Sequence, residues 1–467
     1  MGFAEWWSPE GEGRGRRAVK YALLGLLALV CLPVAAGLIR LCRAPGPERY
    51  HLRDKDNRIV VYHGVNVANC AKGAPGFTGW HTKEDFARLQ KWGFNCVRYL
   101  VFWEAVEPTE GVYDENYIDS VIERIHWMQE LGLDVVIDFH QDLYSRKFTG
   151  NGFPDWTLHD DGIPFHPRSR WNFNYFEKAV IRSYTNFWAS RALRDKYVAM
   201  VEHVVRRIDT LPNVAGVDIM NEPFPGMNLR FEAGILSAFY GDMQAMWRRN
   251  AFAAPMLFEP MMYNSGGLPT GLTFQPGNRC VFAPHYYDPL CHEGYVYGGF
   301  AKFWMRLWAR ERLKDAQRFH TPLLYGEFGI ASTTAGHLEY LTDFLNLLDH
   351  NQASWTYYSY DKSDRESFGI VDNAGNEKDN LSVLVRAYPQ RIAGDNPVFG
   401  QEGKRFDLSY KANDAKAPTV VFVPPRFKGV KALFNGHAVS PSLQTGLLTL
   451  DNEGGTGTMQ KLHVEWE

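Results

Sequence analysis

The chain has 467 residues, enough for one large domain with an appendage or for two or three ordinary ones, and enough to bury a full core without covalent staples. Its formal net charge of -3 is close to neutral, and no block of like charge lies beyond the N-terminus, which argues against nucleic acid as a partner. Aromatic residues make up 14%, a content compatible with sugar-stacking platforms as well as with an ordinary core.

Tyr21 to Ile39 is a nearly uncharged apolar run with Arg14, Arg16, Arg17 and Lys20 before it and Arg40 and Arg43 after it. It sits at the short end of the roughly 20 residues a bilayer-spanning helix requires, and the basic cluster favours a cytoplasmic N-terminus. The alternative is a cleaved secretory signal with Val34-Ala35-Ala36 as its small-residue site. The long polar lead and the Arg after the run favour a signal anchor in residues 1–43, and on either reading the body of the chain is exported, membrane-anchored or secreted. Of six cysteines, Cys31 and Cys42 belong to this run or its edge, and the others show no metal-ligand spacing. Cys96 and Cys280 read as small core residues, whereas Cys70 and Cys291 fall beyond strand ends and can pair in an oxidising compartment.

From Ile59 onward short apolar runs alternate with longer amphipathic ones. Strands are expected at Ile59 to Asn66, Asn95 to Leu100, Asp134 to Phe139, Val214 to Met220, Pro255 to Phe258, Cys280 to Pro284, Pro322 to Gly326 and Ala353 to Tyr358. Helices are expected at Thr82 to Trp92, Glu115 to Leu131, Phe173 to Leu211, Phe231 to Arg249, Ala301 to Phe319 and Gly336 to His350. Eight strands with intervening helices make a (β/α)8 barrel over residues 50–392, an α/β fold whose reactive groups sit at the C-terminal ends of the strands. After Tyr388-Pro389 the pattern becomes short alternating runs separated by Pro424-Pro425, Asn435-Gly436 and Gly454-Gly455. A small C-terminal all-β sandwich over 396–467 follows from that change.

Polar residues gather where a barrel places chemistry. The run Val217-Asp218-Ile219-Met220 ends in Asn221-Glu222-Pro223, and Pro322-Leu323-Leu324-Tyr325-Gly326 ends in Glu327. Two carboxylates at the exits of two buried strands suggest one shared site. Arg98 lies on the second strand, His140-Gln141-Asp142 ends the third, His285-Tyr286-Tyr287 the sixth, and Trp355 lies on the eighth. Singly, each reads as readily as a structural hydrogen-bonder; in register they read as a site. The long stretch Tyr144 to Trp171 contains Phe148, Phe153, Trp156 and Phe165 among turn formers, and Met261 and Met262 follow the fifth strand. Such a loop is either a binding lid or a small core that holds itself down.

These residues resemble glycoside hydrolase family 5, retaining β-glycosidases on a (β/α)8 barrel, over roughly Ile59 to Tyr388. The family's strand-end set falls on Arg98, His140, Asn221, Glu222, His285, Tyr287, Glu327 and Trp355. Phe139-His140-Gln141-Asp142-Leu143-Tyr144, Lys72 and the C-terminal β domain are similar to the endoglycoceramidase and glycosylceramidase subgroup. The resemblance implies Glu327 as nucleophile, Glu222 as acid/base, and Arg98 and Tyr287 as donors to Glu327. It also implies Asn221 on the sugar 2-hydroxyl, Lys72, His140, Asp142 and His285 as further sugar contacts, and Trp355 as the floor under the ring. Phe153, Trp156, Phe165, Met261 and Met262 are candidate lipid contacts. The implied substrate is a glycolipid at a membrane surface, handled by a monomer with no metal or organic cofactor. Alternatives are a β-glucosidase on another lipid-like aglycone such as a sterol, an endo-β-glycanase, or a silent carbohydrate-binding protein.

Overall fold

The computed structural model describes residues 45–467 except 47, 68, 74, 293–295 and 364–367. The apolar run Tyr21 to Ile39 lies outside them, and among the described residues no helix is long and apolar enough to cross a membrane.

Eight parallel strands form the barrel in chain order: His63–Val67, Cys96–Val101, Asp134–Phe139, Val214–Asp218, Met256–Phe258, Cys280–Phe282, Leu324–Tyr325 and Ser354–Tyr357. Each pairs with the next, the eighth returns to the first with Trp355 opposite His63, and a bridge from Phe282 to Leu323 joins the sixth to the seventh. Most strand positions are buried, because helices cover one face and the barrel interior the other, which is why the strands read as unbroken apolar runs. Beyond the sixth and seventh strands, His285–Tyr286 pairs in parallel with Glu327–Phe328 and carries two site residues side by side.

The helices start where short polar side chains can satisfy free backbone amides. Thr82 and Asp85 form a capping box on Lys83–Lys91, and Asp114 accepts from the Tyr117 amide at the start of Glu115–Glu130. The expected helix from Phe173 to Leu211 is instead two, Lys178–Ala189 and Arg191–Ile208. Ser190 between them has an extended backbone and caps the second helix at the Leu193 amide.

The C-terminal region is all-β, as expected, but the two regions are not separate in sequence. Its first sheet runs Leu52–Arg53, Ile59–Val60, Tyr388–Ile392, Thr419–Phe422, Leu447–Leu450, and its second Gly394–Glu402, Arg405–Ala412, Met459–Glu465, Lys431–Phe434, His437–Val439. Ile59 and Val60 therefore do not begin the barrel: they pair antiparallel with Ile392 and Arg391, and the barrel strand starts at His63. The expected division between 392 and 396 also fails, since Tyr388–Ile392 is a central strand of this sheet. The ring of Phe422 reaches back to the barrel at Gly93, which has φ 85° and where a Cβ would lie 2.1 Å from that ring. Only glycine serves there, for backbone conformation and for space.

Candidate active site

Every barrel strand sends a polar group to one centre, and Arg98 is its hub. The side chain is fully buried, and its Nη1 donates to Glu327 Oε1 at 2.6 Å and to Asn66 Oδ1 at 3.0 Å. Its Nη2 reaches Asp218 at 2.9 Å, Asn221 Oδ1 at 3.0 Å and Glu259 at 3.2 Å, while Asp138 lies 3.0 Å from Nη1. A buried guanidinium is tolerated only with such pairing, and its fixed fork in turn fixes the carboxylates. Three groups of carboxylates and imidazoles approach within metal-ligand range: Asp138, His140 and Glu327; Asp218, Glu259 and His285; and Glu222, His285 and Glu327. Arg98 forms an ion pair with Asp138, Asp218, Glu259 and Glu327, so that positive charge is already shared among these groups.

The two glutamates that end the fourth and seventh strands meet here in unlike surroundings. Glu327 has both oxygens held, one by Arg98 and the other by the Tyr287 hydroxyl at 2.8 Å. Burial pushes its pKa up, but the nearby His285, Arg98, His140 and Lys72 outweigh that and hold it below the ordinary glutamate value. Glu222 Oε1 lies 3.0 Å from His285 Nδ1. The backbone of Glu222 has φ 41°, a left-handed conformation that strains a non-glycine residue by roughly 1–3 kcal/mol. Its amide is held by Glu259 Oε2 at 2.9 Å and its carbonyl by Gln141 Nε2 at 3.0 Å. Oxygens of Glu222 and Glu327 and a ring nitrogen of His285 lie within 4.8 Å of one another.

Beside the glutamates, Lys72 donates to Asp142 at 2.7 Å and to the Tyr358 hydroxyl at 2.9 Å. Burial disfavours both charges, yet each stabilises the other, so Lys72 is raised and Asp142 lowered. His140 bridges Asp138 at 2.7 Å and Asp142 at 3.1 Å; burial and Lys72 oppose its charge, but these carboxylates prevail and raise its pKa. The Asn221 amide is locked between Arg98 and the Gln141 carbonyl.

Trp355 is not in the site. It is fully buried behind the strand, stacked on His63 at 4.4 Å and edge-on to Phe328 at 5.6 Å. The aromatic that ends the eighth strand beside Lys72 is Tyr358. The long third loop is also mostly a core. Phe153 is 1% exposed and packs on Tyr144, Phe187 and Trp103, so it has no face left for a ligand. Trp156 packs edge-on against Trp103 and donates to the Glu107 carbonyl, and Phe165 rests on Phe148. Met261 and Met262 are half-buried, the latter donating its amide to the Pro223 carbonyl next to Glu222. Cys70 and Cys291 are both free, so the pair does not form.

Sequence reasoning missed Asp138, Asp218 and Glu259. The first two are acids inside apolar strand runs, and Glu259-Pro260 repeats the strand-ending Glu-Pro of Glu222-Pro223.

Glutamate oxygens within 4.8 Å of each other fit the short separation of a retaining pair, about 5–5.5 Å, rather than the about 6.5–9.5 Å that leaves room for a water in inverting geometry. With a (β/α)8 barrel beneath them, they define a retaining glycoside hydrolase. The chain belongs to glycosyl hydrolase family 5, whose Cellulase model matches residues 61–364. It is 26% identical over 405 residues to endoglycoceramidase I of Rhodococcus hoagii, covering 80% of this chain and 78% of that one. A solved structure of endo-glycoceramidase II from Rhodococcus sp. in complex with ganglioside GM3 superposes with TM-score 0.83 at 28% identity, covering 90% of this chain and all of that one. A shorter match, 35% identical over 106 residues, spans 22% of this chain and 13% of ergosteryl-beta-glucosidase from Saccharomyces cerevisiae.

Proposed function

We propose that the chain hydrolyses, with retention, the β-glycosidic bond between sugar and ceramide in glycosphingolipids. The observation that carries this reading is the unlike pair: Glu327, held as an anion by two donors, and Glu222, beside His285, with oxygens within 4.8 Å. Glu327 attacks the anomeric carbon as the bond to the ceramide oxygen breaks, and Glu222 gives its proton to that oxygen. Glu222, now a carboxylate, takes a proton from the water that attacks the same carbon and frees Glu327. Asn221 holds the 2-hydroxyl, Lys72, His140 and Asp142 grip other hydroxyls, and Tyr358 takes the place on the sugar floor that Trp355 leaves empty.

The ceramide side of the reading rests on the rim. Phe173 and Phe176 on the third loop, Met227 and Leu229 on the fourth, and Phe300 and Phe303 at the start of the sixth helix are exposed apolar residues. Phe173, Phe176, Met227 and Leu229 belong to connections from a strand's C-terminal end to the following helix, and Phe300 and Phe303 to the N-terminal end of the helix that follows the sixth strand, so all lie toward the end of the barrel from which Glu222 emerges. Large exposed apolar residues on one face mark a lipid or protein contact, and a substrate that resides in a bilayer makes lipid the occupant. This rim, rather than Phe153, Trp156 and Phe165, meets the lipid. Tyr21 to Ile39, as an uncleaved anchor flanked by basic residues, would keep the exported body at such a surface; persistence in the membrane fraction after a carbonate wash tests this, and a soluble chain beginning near Gly37 overturns it.

The experiment is product analysis on glucosylceramide beside ganglioside GM3. Release of ceramide from either substrate supports the reading, and the sugar released shows whether the cleft accepts one residue or an oligosaccharide. Cleavage of a steryl β-glucoside or a soluble β-glucan with no release of ceramide overturns it, and the first outcome would favour the sterol reading raised by the yeast relative.

A further inference from the structure

We propose that Glu259 is a positioning residue for the acid/base step, holding both the main chain of Glu222 and the imidazole that faces its carboxyl. The inference rests on the assignment of Glu222 as acid/base.

Glu259 follows the fifth strand and is 1% exposed, yet none of the roles above accounts for it. One of its oxygens accepts the amide of Glu222 at 2.9 Å. The other lies 3.1 Å from His285 Nε2, in an ion pair rather than a straight hydrogen bond, and 3.2 Å from Arg98 Nη2. The opposite ring nitrogen, Nδ1, faces Glu222 Oε1 at 3.0 Å. One carboxylate therefore touches the catalytic glutamate from two directions, through its backbone and through its neighbour.

The backbone contact answers a mechanical need. Glu222 is in a left-handed conformation, which persists only where surrounding groups over-determine it. A charge-assisted bond to its amide is such a constraint, and it fixes where the strand releases the side chain. The contact with the imidazole answers an electrical one. The ring of His285 is 1% exposed and approaches Gly326 so closely that a Cβ there would lie 2.8 Å from Nε2, which makes glycine the residue that leaves the imidazole its place. With Glu259 at Nε2, that nitrogen keeps its hydrogen, and Nδ1 is the position from which a proton passes to Glu222 and to which it returns. Glycosylation requires the proton on the Glu222 side; deglycosylation requires a carboxylate there. A shift between Glu222 Oε1 and His285 Nδ1 exchanges one O–H for one N–H bond and needs no further reactant. Burial lowers the imidazole's pKa, but Glu259 first, then Glu327 and Glu222, raise it well above the ordinary value. The titratable and charged groups around the Glu259–His285 pair are Arg98, Asp218, Glu222, Glu327, Tyr240 and Tyr197.

The test uses the full chain with Glu259→Gln and two glycosides of the same sugar. A dinitrophenyl group departs without a proton; an alkyl group requires one. General acid catalysis contributes about 10²–10⁴-fold, so partial loss of its alignment should lower kcat/KM on the alkyl glycoside by about 30-fold or more and on the dinitrophenyl glycoside by less than about 3-fold. Removing the negative charge loosens the imidazole's hold on its proton, so the alkaline limb of the alkyl profile moves to lower pH. If Glu259→Gln does not fold, Glu259→Asp, which keeps the charge but withdraws it from the Glu222 amide and the imidazole, gives the selective loss with a smaller shift of the limb. Equal losses on both substrates, or an unchanged alkyl profile, overturn the inference. Glu222→Ala assayed with azide separates the two levels: rescue there with no selectivity at Glu259 refutes the positioning role alone, whereas absence of rescue refutes the acid/base assignment beneath it.

Discussion

Replacing Phe300 and Phe303 together by Ser should detach the enzyme from lipid without touching its chemistry. The two side chains are 64% and 61% exposed in the first two turns of Gly299–Phe319. Burying a whole side chain of this kind stabilises by about 1.5–3 kcal/mol, so the share still facing water can contribute about 1–2 kcal/mol each on entering a bilayer. Together that is about 2–4 kcal/mol, or about 30- to 1,000-fold in partition. The assay is co-sedimentation of a chain lacking residues 1–43 with neutral phosphatidylcholine vesicles that carry GM3, which removes the N-terminal run and leaves the compact unit Pro47–Glu467 whole. kcat/KM is then compared on the vesicle substrate and on an aryl glycoside of the same sugar. The expected result is a fall in partition and in vesicle turnover with the aryl reaction unchanged. Unchanged partition, or parallel losses on both substrates, would refute the assignment of the rim to lipid.

Glu327→Gly should abolish turnover and recover with azide to give the inverted glycosyl azide, whereas Glu222→Ala should recover with azide to give the retained one; undiminished activity in either variant would refute the roles. Phe153→Ala should destabilise the fold by about 3–5 kcal/mol, as large-to-small changes at buried aromatics do, and lower activity on lipid and aryl substrates alike; chemical denaturation and paired kinetics measure both. Because Glu327 is held below the ordinary glutamate value of 4.5, the acidic limb of kcat/KM should lie below that pH. The same depression stabilises the folded state above the unfolded pKa and is lost as pH falls through the folded one. Lys72→Met, which removes one of the neighbouring positive charges, should move the acidic limb upward.

The barrel and its two glutamates were legible because strands covered on both faces must be apolar, so a polar residue at their exits stands out. The same double cover hid what failed. Every position of Ser354–Tyr357 is buried, so alternation could not tell which side Trp355 takes, and the ring went behind the strand while Tyr358 went to the site. Phe153 and Trp156 sit among Gly and Pro, a composition that reads as a surface loop, but Tyr184 and Tyr175 pin the neighbouring Tyr144 and Leu143 amides and fold the segment inward. Asp138, Asp218 and Glu259 escaped because no single acid announces a shared cation; their meaning appears only with Arg98 in the middle.

The placement of Ile59–Val60 between Leu52–Arg53 and Tyr388–Ile392 has a consequence for how this polypeptide can be cut or recombined. The segment just ahead of the first barrel strand finds its hydrogen-bond partners more than three hundred residues later, so a ribosome must finish nearly the whole chain before that edge is covered. A truncation after Leu384 would leave Ile59 and Val60 as a bare apolar edge, an invitation to aggregation rather than a smaller enzyme. Grafting the β region onto another barrel would fail for the same reason unless residues 52–60 travelled with it.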